Sequence, residues 1–345
     1  MIMPLTIDNK LVEQYRERVA TAKNIAIMAH MNPDGDAVGS ILGLSCAVRQ
    51  HATKALSLTT ILPNVVPDTF RFLPGSDLII DADHAPELCK QAIASADLII
   101  CVDLNTTPRV GSLQLDLEQA TAFKVLVDHH VGPDLQQFQL VISFPEISST
   151  CELLFWLISQ SWGLDSLNLD IARPLYCGIC TDTGSFAYSC ESPTLYEAVG
   201  HLMQFPIGGA DIHNRIFNTF SVARMRLLGF CISERLRIFE DEKFAYFYLS
   251  NDDQKRFHVN AGDLEVIVNY TLMMKNVEVG AFVKELDNGS VRISLRSKYD
   301  FDVRLFASTY FTGGGHVKAA GATSPFDFPT TVQKLEEYLR KEMNR

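Results

Sequence analysis

The 345-residue sequence predicts an α/β protein: an N-terminal parallel-sheet domain with helices on both faces, a helical connection, and a smaller C-terminal α/β domain. Three patterns predict it. Between residues 25 and 162, short apolar strand-like runs alternate with helical ones, which implies a parallel sheet covered on both sides. From Leu169 to about Glu234 the pattern is mostly helical. After Asp241 strand-like runs return, with a hairpin signal among them.

In chain order, residues 9–22 read as an amphipathic helix with Leu11, Val12, Tyr15 and Val19 on one side. A strand at 25–29 follows, then a helix at 37–50 that Asp36 can cap and that Ala, Leu and Val fill without a proline. Next come a strand at 56–62, a helix at 85–95, strands at 97–102 and 123–127, and a helix at 149–162. The helical stretch beyond is punctuated by Thr181-Asp182-Thr183-Gly184-Ser185 and Phe186-Ala187-Tyr188-Ser189, and residues 208–234 read as a long helical connection. Phe244 to Leu249 reads as a strand, and 277–285 with 290–296 as a hairpin about Asp287-Asn288-Gly289. A helix at 302–310 leads into Thr312-Gly313-Gly314-Gly315-His316. The boundary is expected near 235–243, giving domains 1–235 and 240–345, each able to bury its own core.

Composition, 47% hydrophobic and 21% charged, fits a soluble globular chain. No apolar run reaches membrane-spanning length and no basic-then-apolar leader opens the chain, so a cytoplasmic protein without membrane association is expected. The eight cysteines, among them Cys46, Cys101, Cys151 and Cys231 in apolar runs, read as reduced core residues. Cys177-Gly178-Ile179-Cys180 has C-x-x-C spacing, but a zinc site would want a second such pair. A net charge of −11 argues against gripping long-duplex DNA through a basic surface. It leaves small polyanions open, because bound cations reverse the local field. Residues 240–345 are the less acidic part, which suits holding phosphate.

The chemistry lies in polar clusters directly after apolar runs. His30-Met31-Asn32-Pro33-Asp34-Gly35-Asp36 follows the run at 25–29, Asp103 follows 98–102, and Asp128-His129-His130 follows 125–127. Ligands of open α/β sheets bind beyond the carboxyl ends of strands, so three such clusters are expected to converge. Asp34 and Asp36 can serve different metal ions, His30 adds an imidazole, and Asp103 can bridge both ions. His129 offers a second imidazole and Asp182 a further carboxylate. Mixed carboxylate and imidazole ligation points to two divalent metal ions, Mn²⁺ first, with Mg²⁺, Fe²⁺ or Co²⁺ as alternatives. Such a pair clamps a phosphoryl oxygen and acidifies a water, so no Ser or Cys nucleophile is required. Singly, Asp36 reads as a helix cap, Asp182 as a turn residue and the paired histidines as surface loop. In this order and at strand ends, those plainer readings do not survive together.

The glycine run has two readings of its own. Gly313, Gly314 and Gly315 before His316 let backbone N–H groups approach an anion, and a helix starting near Val317 would add its dipole. The plainer alternative is a simple loop with a buried histidine. Nearby Arg292, Arg296, Ser297 and Lys318 favour phosphate capture, with Arg296 as the bidentate clamp.

These segments resemble the DHH phosphoesterase superfamily. His30-x-x-x-Asp34-x-Asp36-Ala37-x-Gly39-Ser40 is similar to its first motif, Asp103 to the second, Asp128-His129-His130 to the triplet that names it, and Asp182 to the fourth. The stretch from Gly313 to Gly321 resembles the glycine-rich signature of the associated C-terminal substrate domain. The likeness runs from about residue 25 to 322 and is specific, because five motifs occur in order. It implies His30, Asp34 and Asp103 on one metal, Asp36, Asp103, His129 and Asp182 on the other, and His130 facing the scissile phosphate. Independently, an imidazole beside a metal-bound His can donate to a phosphate oxygen or protonate the leaving oxygen. Asp128 is then the group that orients an imidazole or a ligand loop.

The compact layout resembles the nano-RNase subgroup, which implies metal-activated hydrolysis of short oligoribonucleotides and of adenosine 3′,5′-bisphosphate (pAp). The alternatives are a cyclic-dinucleotide or linear dinucleotide phosphodiesterase, and a pyrophosphatase or exopolyphosphatase. A non-catalytic nucleotide-binding regulator would have lost a metal ligand, and all six are present here. Expected partners are short oligonucleotides or small phosphorylated nucleotides, and a homodimer is compatible with the sequence. Tyr299, Phe301 and Tyr310 are candidates for stacking on a base.

Overall fold

A computed structural model describes residues 5–239, 243–258, 261–264 and 267–343. The chain divides into two compact units, the first ending at Thr219 and the second starting at Phe220. In the first unit the elements run α1 (Asn9–Thr21), β1 (Asn24–Met28), α2 (Gly35–His51), β2 (Ser57–Leu62), β3 (Ile80–Asp81), α3 (Pro86–Ser95) and β4 (Leu98–Val102). They continue with α4 (Gln114–Gln119), β5 (Phe123–Asp128), β6 (Leu140–Ser143), α5 (Thr150–Trp162), α6 (Leu169–Asp182), α7 (Pro193–Leu202) and α8 (Gly209–Phe217). The second unit holds α9 (Val222–Phe230), β7 (Leu236–Phe239), β8 (Phe244–Leu249), α10 (Asn251–Phe257), α11 (Asn269–Leu272), β9 (Val279–Glu285) and β10 (Val291–Ser297). It closes with α12 (Val303–Tyr310), β11 (Thr312–Gly315), β12 (Ala319–Ser324) and α13 (Phe328–Met343).

The first sheet has the order β3-β2-β1-β4-β5-β6 and every pairing is parallel. Its central strands β1 and β4 read as nearly unbroken apolar runs because both faces are buried. Ile25, Ile27, Ile100 and Val127 pack on one side with α1, α2, α5 and α6. Their neighbours Ala26, Met28, Cys101 and Leu126 pack on the other, with Cys89, Ile93 and Leu117.

The second sheet is mixed, with order β11-β12-β10-β9-β8-β7. The expected hairpin is there as β9 and β10, antiparallel, with Gly289 at φ 77° in its turn. Phe244, Val279, Ile293 and Leu295 bury one face against Phe306 of α12 and Leu335 and Leu339 of α13. On the opposite face Phe247, Leu249 and Phe282 pack against Leu227 and Cys231. That contact explains the boundary. By packing the two units divide between Thr219 and Phe220, because residues around α9 are core of the second unit. Part of the expected boundary, residues 240–242, lies outside the described residues. The expected long helical connection is two helices, α8 and α9, with Ser221 capping the second. Among the described residues, no helix is long and apolar enough to cross a membrane.

Candidate metal centre

In the first sheet, chain order runs outward from β1 through β2 to β3, then returns to the other side of β1 at β4. The loops leaving β1 and β4 therefore part to opposite faces, and the crevice between them is where such sheets take ligands. His30 to Asp36 leave β1, Asp103 leaves β4, and Asp128 ends β5. The three clusters meet there.

Asp34 is the cap of α2: its Oδ1 accepts from the N–H groups of Asp36 and Ala37 at 3.1 and 3.0 Å. The helix consequently starts at Gly35, not at 37 with Asp36 as its cap. Asp36 lies within the first turn, fully buried, and accepts from the N–H groups of Thr150 and Cys151 at 2.7 and 2.9 Å. It is thus pinned by the N-terminus of α5. Asp182 is not a turn residue but the last residue of α6. A carboxylate there opposes the helix dipole, so local stability does not explain its presence.

Asp103 is buried and has φ 56°, a left-handed backbone that a non-glycine residue seldom adopts. That conformation goes with its two oxygens facing different partners. Oδ2 is 3.2 Å from His30 Nε2, while Oδ1 is 3.8 Å from His129 Nε2 and 3.7 Å from His130 Nδ1. Thr150 Oγ donates to the same Oδ1 at 3.1 Å. His30 Nε2 also lies 3.8 Å from Asp34, and His129 Nε2 3.2 Å from Asp182.

Three groups each bring their ligand atoms within 4.8 Å of one another: His30 with Asp34 and Asp103, Asp36 with His129 and Asp182, and Asp103 with His129 and His130. All seven candidate residues of this unit are gathered.

The hydrogen bonds behind the imidazoles state what the centre wants. His30 Nδ1 is 2.8 Å from the Met31 carbonyl, which can only accept, so Nδ1 carries the proton. In the neutral imidazole Nε2 is then a lone pair aimed at two carboxylates, and it is buried without a hydrogen-bond partner among the described residues. His129 repeats the pattern, with Nδ1 3.3 Å from the Ile147 carbonyl. A lone pair opposed to carboxylate oxygens calls for a cation between them, and backbone carbonyls orienting ligand imidazoles are the usual support. Oxygen and imidazole donors without thiolate suit hard or borderline divalent metals.

Charge says the same. Burial alone would lower the pKa of His30, yet Asp103 and Asp34 raise it to about 10. His129 also rises to about 10, against its burial, through Asp182, Asp36 and Asp103. Burial, then Asp103 and Asp182, push Asp36 well above the usual carboxylate range. Burial raises Asp182 to about 6, with Asp34 and Asp103 adding and His129 opposing. Burial would raise Asp103 too, but His30, His129 and His130 hold it below the usual range. In the cation-free chain, protons stand in for the missing positive charge.

Sequence reading missed the supporting shell. Thr150 and Cys151 tether Asp36 and Asp103, and the Met31 and Ile147 carbonyls set the imidazoles. The one available signal was Ser149-x-x-Glu152, a helix-start pattern whose cap bond from Glu152 N–H to Ser149 Oγ is present at 3.0 Å. It marks where α5 begins but not what the helix end faces. Asp128 matches its expected role: its carboxylate takes His130 Nδ1 at 2.7 Å and the His130 N–H at 3.0 Å.

In the second unit, Arg296 lies on β10 between Gly280 of β9 and Ala319 of β12, and its Nη1 donates to the Leu295 carbonyl at 2.9 Å. Gly313 to Gly315 form the edge strand β11 instead of a loop, and no helix starts near Val317. The chain instead turns through His316 to Ala319, whose backbones exchange two hydrogen bonds, and enters β12. The glycines are required by that pairing: a Cβ on Gly313 would lie 2.4 Å from the Gly321 carbonyl, and one on Gly315 2.6 Å from that of Ala319. His316 is exposed, not buried. Of the stacking candidates, Tyr310 stacks on Tyr338 at 4.3 Å and Phe301 packs on Phe306, so both serve the core, while Tyr299 is 61% exposed.

Comparison with known proteins gives a consistent result. The DHH family, N-terminal domain, matches residues 24–179, and the DHHA1 domain matches residues 241–341. The bifunctional oligoribonuclease and PAP phosphatase NrnA of Thermus thermophilus is 26% identical, over 93% of this chain and 90% of its own length. The crystal structure of an exopolyphosphatase-related protein from Bacteroides fragilis superposes with a TM-score of 0.93 at 32% identity, covering 99% of both chains. RecJ of Thermus thermophilus, crystallised with Mn²⁺, shares the fold with a TM-score of 0.56 at 13% identity, over 99% of this chain and 56% of RecJ.

Proposed function

Because the chain belongs to the DHH family of metal-dependent phosphoesterases, we propose that it hydrolyses short oligoribonucleotides and pAp, with two divalent cations, Mn²⁺ foremost, as its cofactors. The observation that carries this reading is Asp103, with one carboxylate oxygen toward His30 and the other toward His129 and His130. His30 and Asp34 hold one cation, Asp36, His129 and Asp182 the other, and Asp103 serves both. When bound, such a pair withdraws charge from the phosphate and supplies hydroxide near neutral pH.

The remaining work belongs to side chains. Asp128 accepts from Nδ1–H of His130, so Nε2 is the atom at which His130 takes up a proton and delivers it to the leaving oxygen. Arg296 forms the bidentate clamp on a second phosphate, with Gly313, Gly314, Gly315 and His316 alongside. Arg296→Ala should raise KM by the loss of a charged hydrogen bond, ~1.5–3 kcal/mol, and leave kcat nearly unchanged. Steady-state kinetics on pAp checks this.

The substrate choice is supported by the Thermus thermophilus relative, which is named as an oligoribonuclease and PAP phosphatase. A cytoplasmic setting belongs to the same proposal, since eight unpaired thiols suit a reducing compartment. The test is a side-by-side assay of pAp, a diribonucleotide, a cyclic dinucleotide and pyrophosphate, with and without Mn²⁺. Metal-dependent turnover of the first two is expected. Turnover of pyrophosphate alone would overturn the nucleotide reading, and of the cyclic dinucleotide alone would establish the phosphodiesterase alternative.

A further inference from the structure

We infer that Tyr188 is a specificity residue whose ring stacks on a base of the substrate; this rests on the nucleotide reading above. Helix α6 stops at Asp182. Gly184, Ser185 and Phe186 follow with φ of 54°, 58° and 66°, three left-handed residues in succession. That run is unfavourable for serine and more so for a bulky phenylalanine. Such strain persists only where the surroundings over-determine it, and it collects at functional sites.

The surroundings do over-determine it. The Thr183 carbonyl accepts from the N–H groups of both Ala187 and Tyr188, at 2.8 and 2.9 Å, and Ser185 N–H reaches the Cys180 carbonyl at 2.7 Å. Thr183 Oγ donates to the Ile179 carbonyl at 2.6 Å and accepts from Phe186 N–H at 3.0 Å. Ser185 Oγ is tied across to α8 by His213 Nδ1 at 2.7 Å. The Phe186 ring rests between Tyr176 and Tyr196, with centroids 6.3 and 6.2 Å away.

All this holds one large side chain in water. Tyr188 is 54% exposed, and the edge of its ring lies so close to Gly184 that a Cβ there would come within 2.7 Å of it. Gly184 is two residues from Asp182, so their α-carbons are at most about 7.6 Å apart. An aromatic face is therefore fixed within about a nucleotide's reach of the gathered carboxylates. Packing does not account for it, since more than half the residue is solvated. An exposed aromatic on a rigid mount accepts any base by stacking, which is how single strands are held without sequence preference.

The experiment compares base-bearing substrates, pAp and a diribonucleotide, with a base-free analogue, methyl ribofuranoside 3,5-bisphosphate, in the Mn²⁺-loaded full chain. Tyr188→Ala should raise KM for the base-bearing substrates roughly tenfold or more. It should leave kcat, and both constants for the base-free analogue, within about twofold, and Tyr188→Phe and Tyr188→Trp should restore KM. Equal effects of Tyr188→Ala on both substrate types, or none on either, would overturn the inference while leaving the nucleotide reading intact. A wild-type enzyme inert toward both base-bearing substrates would instead overturn the nucleotide reading, and the stacking role with it.

Discussion

Asp103 combines burial, a left-handed backbone and a carboxylate shared between imidazoles on two sides. One side chain asked to serve two cations cannot be replaced by a neutral isostere. Asp103→Asn should keep the fold yet lower phosphoesterase activity by more than the ~10–100-fold typical of an outer-shell loss; turnover together with metal content after dialysis measures it. Near-normal turnover would refute the bridging role. The titration of the imidazoles gives a second expectation. In the cation-free chain His30 and His129 stay protonated up to about pH 10, whereas metal ligation needs them neutral. Metal binding at pH 7.5 should thus release protons, those of His30 and His129 and any held by Asp36, and affinity should weaken as pH falls. Calorimetric titration in buffers of different ionisation enthalpy reads the number. Without metal the sign reverses: the raised pKa values stabilise the fold fully below about pH 6.5. That contribution fades as pH rises through about 10. Among single residues, the acids and histidines that the structure gathers are those the sequence singled out by their order along the chain, although each alone has a plainer use. Which of Asp34 and Asp36 caps α2 was not legible, since both stand near its start and only the approach of α5 distinguishes them.

At the level of elements, the centre depends on α2 and α6 lying close enough to present Asp36 and Asp182 together. Glycines permit it. A Cβ on Gly39 would lie 2.5 Å from the Pro174 carbonyl, and one on Gly178 would lie 2.2 Å from Cys151 Sγ and 2.9 Å from Asp36 Oδ1. Gly178→Ala should therefore cost ~1–3 kcal/mol by overpacking and disturb metal binding as well. Denaturant unfolding and a Mn²⁺ titration report the two effects separately. Adding Cys151→Ala, which removes the nearest colliding atom, should recover part of the stability, a coupling expected of residues in contact. Strands β1, β2, β4 and β5 could be read from sequence because burial leaves them largely apolar, whereas β3, with 2 residues, and β6, with 4, are too short to stand out. Strand β11 could not, because Thr-Gly-Gly-Gly has little strand preference of its own and is held by pairing with β12.

Over the whole chain, two cores form in two units, and all the metal-ligand candidates lie in the first. Mn²⁺ should accordingly raise the melting temperature of the first unit alone, by mass action on the folded state. Scanning calorimetry of the full chain, with metal and with chelator, should show one transition moving and the other fixed; a joint shift would contradict independent cores. Composition and pattern were enough to establish an α/β chain of two domains, with polar clusters at strand ends and the ligand types a divalent cation would accept. Those are local properties, written in hydrophobic period and residue chemistry. The distances at which residues 30, 103, 129 and 182 meet, the helix end that pins Asp36, and the placement of α9 with the second core came from folding. Each depends on contacts between segments far apart in the chain, and spacing along the sequence does not encode distances in space.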